Sequence, residues 1–127
     1  MKRLIPILIL VIAVVATASA QTKQRVRFAR GETSATVSGT VRGYAYVDYV
    51  LGASAGQILD VHLDKNTSSV FTIFKPGGGN LEGAAEMNEF SIALSSSGDY
   101  VIRVMMMRAE ARRSHSVSNY KLTISIK

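Results

Sequence analysis

The stretches YVIRVMMM (Tyr100–Met107) and YKLTISIK (Tyr120–Lys127) decide the fold of this chain. In both, every second residue is apolar and belongs to one face, which is the pattern of a strand with one side in a core. About 12 residues, 108–119, separate the two stretches, whereas a hairpin needs roughly two to five. Connections of that length in compact domains are usually functional or disordered, so this loop is the first place to look for function.

The same alternation continues through the rest of the chain after its first 20 residues. Short alternating or β-branched stretches are separated by turns rich in glycine, serine and asparagine. They cover residues 24–29, 35–41, 43–51, 57–64, 70–74 and 90–94. This pattern predicts an all-β protein, a single antiparallel β-sandwich of about seven or eight short strands.

Residues 1–20 have the composition of a secretory signal peptide. Lys2 and Arg3 precede an apolar run from Leu4 to Val15, and Ala18-Ser-Ala20 supplies a small-residue cleavage site. The apolar run is about 12 residues long, shorter than the roughly 20 residues of a membrane-spanning helix. We therefore expect residues 1–20 to be removed on export to the periplasm. Residues 21–127 would form the mature β-sandwich domain, with no membrane insertion.

Charge and cysteine content limit the functions of the mature chain. Without Lys2 and Arg3, 13 basic and 9 acidic residues remain, a net charge of about +4. This moderate value does not indicate nucleic-acid binding, and it suits a partner with an acidic surface or active site. The chain has no cysteine, which excludes disulfides, thiol catalysis and cysteine-ligated metals.

Catalytic and metal-binding patterns are weak in this sequence. His62 and His115 are its only histidines, and no hydrolase, zinc-protease or phosphate-loop motif is present. Asp60, His62 and Asp64 share one strand face, but the two aspartate Cα atoms would lie roughly 13 Å apart. We interpret them as a polar outer face and predict a protein that is not an enzyme, with no catalytic residues, metal site or cofactor.

The loop after the first of the two quoted stretches contains Arg108 and Arg112. In a helical turn these residues, four apart, would share one face. A planar guanidinium binds a carboxylate through two parallel hydrogen bonds and keeps its charge at every physiological pH. The loop could therefore be a solvated basic segment or a probe for carboxylates or phosphates, and the residue pattern alone leaves both open.

Several stretches of the chain resemble the periplasmic inhibitors of goose-type (g-type) lysozyme. The most specific are Gly-Tyr-x-Tyr at residues 43–46, Ala-Gly-Gln at residues 55–57 and Arg-x-x-x-Arg at residues 108–112. The similar stretches, in chain order, are residues 27–31, 38–46, 55–57, 97–104, 108–112 and 119–127. The resemblance spans nearly all of the mature chain.

This resemblance implies a small exported β-sandwich that blocks a lysozyme and has no catalytic activity of its own. Tyr44, Arg108 and Arg112 match the residues that the family presents to the active-site cleft of the enzyme. Glycoside hydrolysis depends on carboxyl groups in defined protonation states. An arginine in the cleft would pair with such a carboxylate and depress its pKa. The implied partner is a g-type lysozyme.

Two other functions are open at this point. One is a secreted β-sandwich module that binds a glycan, peptidoglycan or calcium. The other is an inhibitor of a different cell-wall lytic enzyme. Packing within a sheet is also an alternative role for Tyr44, because Tyr46 and Tyr49 follow it closely. The sequence does not define the oligomeric state.

Overall fold

The computed structural model of the protein describes residues 21–64 and 67–127. The predicted signal peptide, residues 1–20, lies outside the described residues. Within the described ranges, no helix is both long enough and apolar enough to cross a membrane.

The described chain forms eight strands and one short helix. In chain order they are β1 (Gln21–Arg25), β2 (Ser34–Arg42), β3 (Tyr46–Ala53), β4 (Ile58–Leu63), β5 (Ser69–Phe74), β6 (Glu89–Ala93), β7 (Gly98–Met106), α1 (Arg108–Ala111) and β8 (Val117–Ile126). The first sheet has the strand order β1-β3-β7-β5, and the second sheet has the order β2-β8-β4-β6. The predicted β-sandwich is confirmed.

One pairing departs from the predicted antiparallel arrangement, because β1 and β3 run parallel. The reason is topological. Strand β2 lies between them in the chain but belongs to the second sheet. The chain reverses direction twice before it returns to the first sheet, so β3 runs in the same direction as β1. All other strand pairs are antiparallel.

The core lies between the two sheets and is built from the alternating residues predicted to face inward. Leu59, Val61 and Leu63 of β4 are buried, as are the inward residues of β7 and β8. Burying a side chain of this size contributes roughly 1.5–3 kcal/mol. The alternation therefore fixes which face of each strand packs, since a shift of one residue would expose the whole apolar set.

A buried tyrosine pair joins the two sheets within the core. The hydroxyl groups of Tyr49 and Tyr120 lie 2.5 Å apart, and the rings meet edge to face with centroids 6.4 Å apart. Burial raises the pKa of both phenols. Gly39 makes room for this pair, because a Cβ at that position would lie 2.3 Å from the hydroxyl oxygen of Tyr120.

The long connection between β7 and β8 has an architectural cause. Strand β7 lies in the first sheet and β8 in the second, so residues 107–116 cross one end of the sandwich and do not form a hairpin. The connection is shorter than the predicted 108–119, because β8 already begins at Val117. Residues 43–45, predicted as the start of a strand, form a turn between β2 and β3.

Candidate protein-binding site

Tyr44 lies at the tip of the turn between β2 and β3. Gly43 has a φ of 54°, a left-handed conformation that glycine adopts without a steric penalty. The N–H of Ala45 donates to the carbonyl oxygen of Arg42 at 3.0 Å and closes the turn. The side chain of Tyr44 is 69% exposed. Packing in the core is therefore excluded as its role.

The arginines that were predicted to bind lie on the short helix α1. Its first turn closes where the N–H of Ala111 donates to the carbonyl oxygen of Met107 at 2.8 Å. Ala111 is 5% exposed and packs against the core, whereas Arg108 and Arg112 are exposed. The buried alanine anchors this turn to the sandwich, and the two arginines lie one helical turn apart on its outer side.

Hydrogen bonds join the Tyr44 turn to the helical segment. The N–H of Gly43 donates to the carbonyl oxygen of Ser116 at 3.1 Å. The hydroxyl of Ser116 donates to the carbonyl oxygen of Ala111 at 3.2 Å. Residues 43–45 and 107–117 thus form one continuous surface, which we call the arginine end. The structure brings the turn of Tyr44 beside the segment of Arg108 and Arg112.

Two arginines of the arginine end have no acidic partner in the described protein. The Nε atom of Arg113 lies 3.9 Å from a carboxylate oxygen of Glu110, and an exposed ion pair of this kind contributes little to stability. Across residues 21–64 and 67–127, no carboxylate lies within salt-bridge distance of Arg108 or Arg112. Their guanidinium groups are therefore available to a carboxylate from another molecule.

Exposed apolar side chains accompany these arginines. In the described part of the chain, four large apolar side chains are exposed, and three of them lie at the arginine end: Tyr44, Met107 and Val117. The fourth, Ile58, is at the opposite end of the sandwich. Aromatic residues, methionine and arginine are the residue types enriched in protein–protein interfaces. The arginine end therefore has the composition of a binding surface.

A third arginine, Arg103, has the opposite environment on the outer face of the first sheet. Its Nε and a terminal nitrogen donate to the two carboxylate oxygens of Asp48 at 2.8 and 3.0 Å. Its guanidinium carbon lies 3.9 Å from the ring centroid of Tyr46 and 4.8 Å from that of Phe74. Hydrogen bonding to Asp48 is the main cause that raises the pKa of Arg103. This guanidinium is paired within the protein.

The pair of Arg103 and Asp48 was not predicted from the sequence. The alternation placed Arg103 on the face of β7 opposite to the core residues, but nothing in it named a partner strand. The register of β3 with β7 sets Asp48 directly opposite Arg103. The available signal for this ion pair was the presence of an acidic and a basic residue on the outer faces of two predicted strands.

The Asp60, His62 and Asp64 side chains lie exposed on the outer face of β4, as predicted. Among the described residues, no group of three His, Cys, Asp or Glu side chains is arranged to hold a metal ion. The N–H of Lys121 donates to Asp64 at 2.9 Å, which gives this carboxylate a structural role on the sheet surface.

Comparison with known proteins places the chain in a family. It is 30% identical over 110 residues to the inhibitor of g-type lysozyme of Escherichia coli K12, covering 80% of this chain and 79% of that protein. A periplasmic inhibitor of g-type lysozyme from Aeromonas hydrophila shares 35% identity with a TM-score of 0.73, over 84% of this chain and 97% of that one. Its counterpart from Salmonella Typhimurium shares 28% identity with a TM-score of 0.67, over 84% and 98%. No protein-family model matches the chain.

These relatives are inhibitor proteins, and the solved structures share the fold over 84% of this chain. The resemblance read from the sequence and the similarity of the structures agree. The chain belongs to the family of periplasmic inhibitors of g-type lysozyme.

Proposed function

We propose that this protein inhibits g-type lysozyme by inserting its arginine end into the active-site cleft of the enzyme. Residues 1–20 direct export to the periplasm and are removed, which leaves residues 21–127 as the inhibitory domain. The names of the relatives from Escherichia coli and Aeromonas hydrophila support the identity of the target. The geometry of the arginine end supports its proposed insertion into the cleft.

One observation carries this proposal. The exposed Tyr44 and the two arginines without acidic partners belong to segments that a hydrogen bond between Gly43 and Ser116 holds together. The segments are also fixed to the sandwich, because Ala111 is buried and the Met107 N–H donates to the carbonyl oxygen of Ser68 at 2.8 Å. A surface that is ordered before binding loses less conformational entropy when the complex forms.

The chemistry of the arginine end fits a glycosidase cleft. Such a cleft contains a pair of carboxyl groups, and one of them must hold a proton to act as general acid. A guanidinium beside that group favours its ionised form and lowers its pKa, which removes the acid. The same side chain occupies space that the sugar needs. Tyr44 contributes a rigid aromatic surface that stays ordered at low entropic cost.

The two arginines have different local constraints, which predicts unequal contributions. Arg108 begins α1, directly after the anchored Met107, whereas Arg112 is the C-terminal cap, where the helix ends. Backbone hydrogen bonding is tighter before Arg108, where Met107 donates to Ser68 at 2.8 Å, than at Arg112, whose own N–H donates to Arg108 at 3.2 Å. We therefore assign the main carboxylate contact to Arg108 and a supporting contact to Arg112.

The direct test is a titration of purified residues 21–127 into cell-wall lysis assays with goose-, chicken- and invertebrate-type lysozymes. The goose-type enzyme should be inhibited at near-stoichiometric ratios, and the other two much less. The Arg108→Ala/Arg112→Ala double variant is the matched control for each titration. Full lysis by the goose-type enzyme at saturating protein would contradict the proposal.

A second assay separates inhibition from binding of the substrate. The protein should stay in the supernatant when insoluble peptidoglycan is sedimented without enzyme. Co-sedimentation that persists in the double arginine variant would favour a peptidoglycan-binding module.

A further inference from the structure

The four outer edges of the two sheets are protected to different degrees. Exposed strand edges invite pairing with another chain, and proteins protect them with charges, short strands or covering segments. Edge strand β1 contains Lys23 and Arg25. Edge strand β5 is covered, because Phe71 exchanges two backbone hydrogen bonds with Met87. Edge strand β6 has five residues and begins with the charged Glu89.

Edge strand β2 is the least protected of the four, because its one charge is the terminal Arg42. With nine residues, from Ser34 to Arg42, it is the longest of the four edge strands. Residues 34–41, SATVSGTV, contain no charge and no proline. Within residues 21–64 and 67–127, its only strand partner is β8. A long, uncharged edge of this kind is a template for strand addition.

The backbone register shows which groups of β2 point outward. The carbonyl oxygen of Thr33 accepts from the N–H of Ile126 at 2.8 Å, and the N–H of Gly43 donates to Ser116. In an antiparallel pair, both backbone groups of a residue point to the same side, and the side alternates along the strand. The backbone N–H and C=O groups of the odd-numbered residues of β2 therefore face β8. The outward backbone groups belong to Ser34, Thr36, Ser38 and Thr40.

We propose that two copies of this chain pair through their β2 strands, antiparallel, about a two-fold axis at Val37. This register sets Ser34 opposite Thr40 of the second copy and Thr36 opposite Ser38 of the second copy. Each pair can exchange two backbone hydrogen bonds. The half-buried Val37 then meets Val37 of the second copy on the inner side. The second sheets would join into one continuous sheet.

Charge complementarity favours this register and a second copy as the occupant. The same register brings Glu32 of one copy, two residues before β2, close to Arg42 at the end of β2 in the other copy. Both side chains are exposed, and neither forms a salt bridge within the described residues. The two-fold axis repeats this contact, so one ion pair would lie at each end of the joint edge.

The dimer would leave both arginine ends accessible. Strand β2 runs toward the arginine end, since Arg42 precedes the Tyr44 turn and pairs with Val117. Antiparallel pairing therefore places the two arginine ends at opposite poles of the dimer. Each copy could contact its own enzyme, so this inference does not depend on the proposed function.

Sedimentation equilibrium of residues 21–127, from about 1 to about 100 µM, tests the dimer. We expect association with a Kd on the order of 10 µM, because the interface is small. Ser38→Pro removes an outward N–H that β8 does not use, so it should weaken association by at least about tenfold. Its melting temperature and inhibition should match the wild type. A monomer at every concentration, or a Ser38→Pro variant that still dimerises, would overturn the proposal.

A charge swap tests the register independently of the proline variant. Glu32→Arg and Arg42→Glu should each weaken association by about tenfold, since each repulsion occurs twice across the axis. The double variant should restore it. Association that is unchanged by both single variants, or not restored in the double variant, would show that the proposed register is wrong.

Discussion

On the outer face of the first sheet, the guanidinium of Arg103 binds both oxygens of Asp48 and stacks on Tyr46. At the arginine end, Arg108 and Arg112 are exposed, with no carboxylate in reach among the described residues. The same side chain therefore has two uses in one small domain. An arginine that is paired internally stabilises the fold, and an arginine left unpaired on an anchored turn is available to a partner.

The tyrosines also have two different environments, one inside the fold and one on the surface. Tyr49 and Tyr120 are 1% and 3% exposed and bind each other across the core, whereas Tyr44 is 69% exposed on a turn. Identity of the residue type does not separate these roles. Local backbone geometry does, because the left-handed Gly43 places Tyr44 outside the strand that holds Tyr46 and Tyr49.

The largest expected effect is the loss of inhibition in the Arg108→Ala/Arg112→Ala double variant. Truncating a buried interfacial charge typically costs about 2–5 kcal/mol, which is roughly thirty- to several-thousand-fold in affinity. The melting temperature should not change, because both side chains are exposed and unpaired in the free protein. Inhibition titrations and calorimetry check the two halves of this prediction. A lowered melting temperature with unchanged inhibition would show that these two arginines stabilise the fold and do not bind the enzyme.

Arg103→Ala should have the opposite signature. It leaves the carboxylate of Asp48, whose side chain is 11% exposed, without its partner. We expect a loss of about 1–3 kcal/mol in the free energy of unfolding, less than for a fully buried pair because Arg103 is 30% exposed. Urea denaturation measures it. Inhibition, assayed well below the unfolding temperature, should equal that of the wild type, and a large loss of inhibition would place Arg103 in the interface.

Tyr44→Ala should weaken inhibition by about 1–2 kcal/mol, the range for a contributing aromatic contact, without a change in stability. Tyr44→Phe is the matched control, since it keeps the ring and removes the hydroxyl. Equal inhibition by the wild type and Tyr44→Phe would assign the effect to the aromatic surface. If Tyr44→Ala lowers the melting temperature, the residue has a packing role that its exposure does not indicate.

The buried tyrosine pair should make the fold sensitive to alkali. Burial raises the pKa of Tyr49 and Tyr120 above the value of about 10 that they have in the unfolded chain. Below pH 10 both states hold these protons. Above it the unfolded chain loses protons that the folded protein keeps, so stability should fall by up to about 1.4 kcal/mol per pH unit for each group.

Denaturation between about pH 8 and 11 measures this slope. The Tyr49→Phe/Tyr120→Phe double variant should show a much shallower decline, and the exposed Tyr44→Phe should show the wild-type decline. A wild-type slope in the double variant would assign the alkaline loss to other groups.

Much of the fold was predictable, because inward residues repeat at every second position. The alternation at Gln57–Asp64 predicted β4, Ile58–Leu63, to within one residue at each end. The parallel pairing of β1 with β3 was not predictable, since periodicity defines faces and not neighbours. The start of β8 was misplaced for a related reason: Val117 and Asn119 are exposed at the strand end and look like loop residues.

The candidate site was predictable only in its residue types. Resemblance to the family pointed to Tyr44, Arg108 and Arg112, but their proximity depends on the crossing of residues 107–116 between the sheets. A contact such as Gly43 to Ser116 joins positions far apart in the chain. Neither composition nor spacing contains that information.

The proposed inhibition depends most on the planar guanidinium of Arg108, which would bind a carboxylate of the enzyme through two hydrogen bonds. The most direct measurement is the inhibition constant of Arg108→Lys against goose-type lysozyme, beside Arg108→Ala, at low and at high salt. Lysine keeps the charge and loses the fork, so we predict clearly weaker inhibition by Arg108→Lys at both salt concentrations. Full inhibition by Arg108→Lys, abolished by salt, would show that the arginine end acts only as diffuse positive charge and would contradict this mechanism.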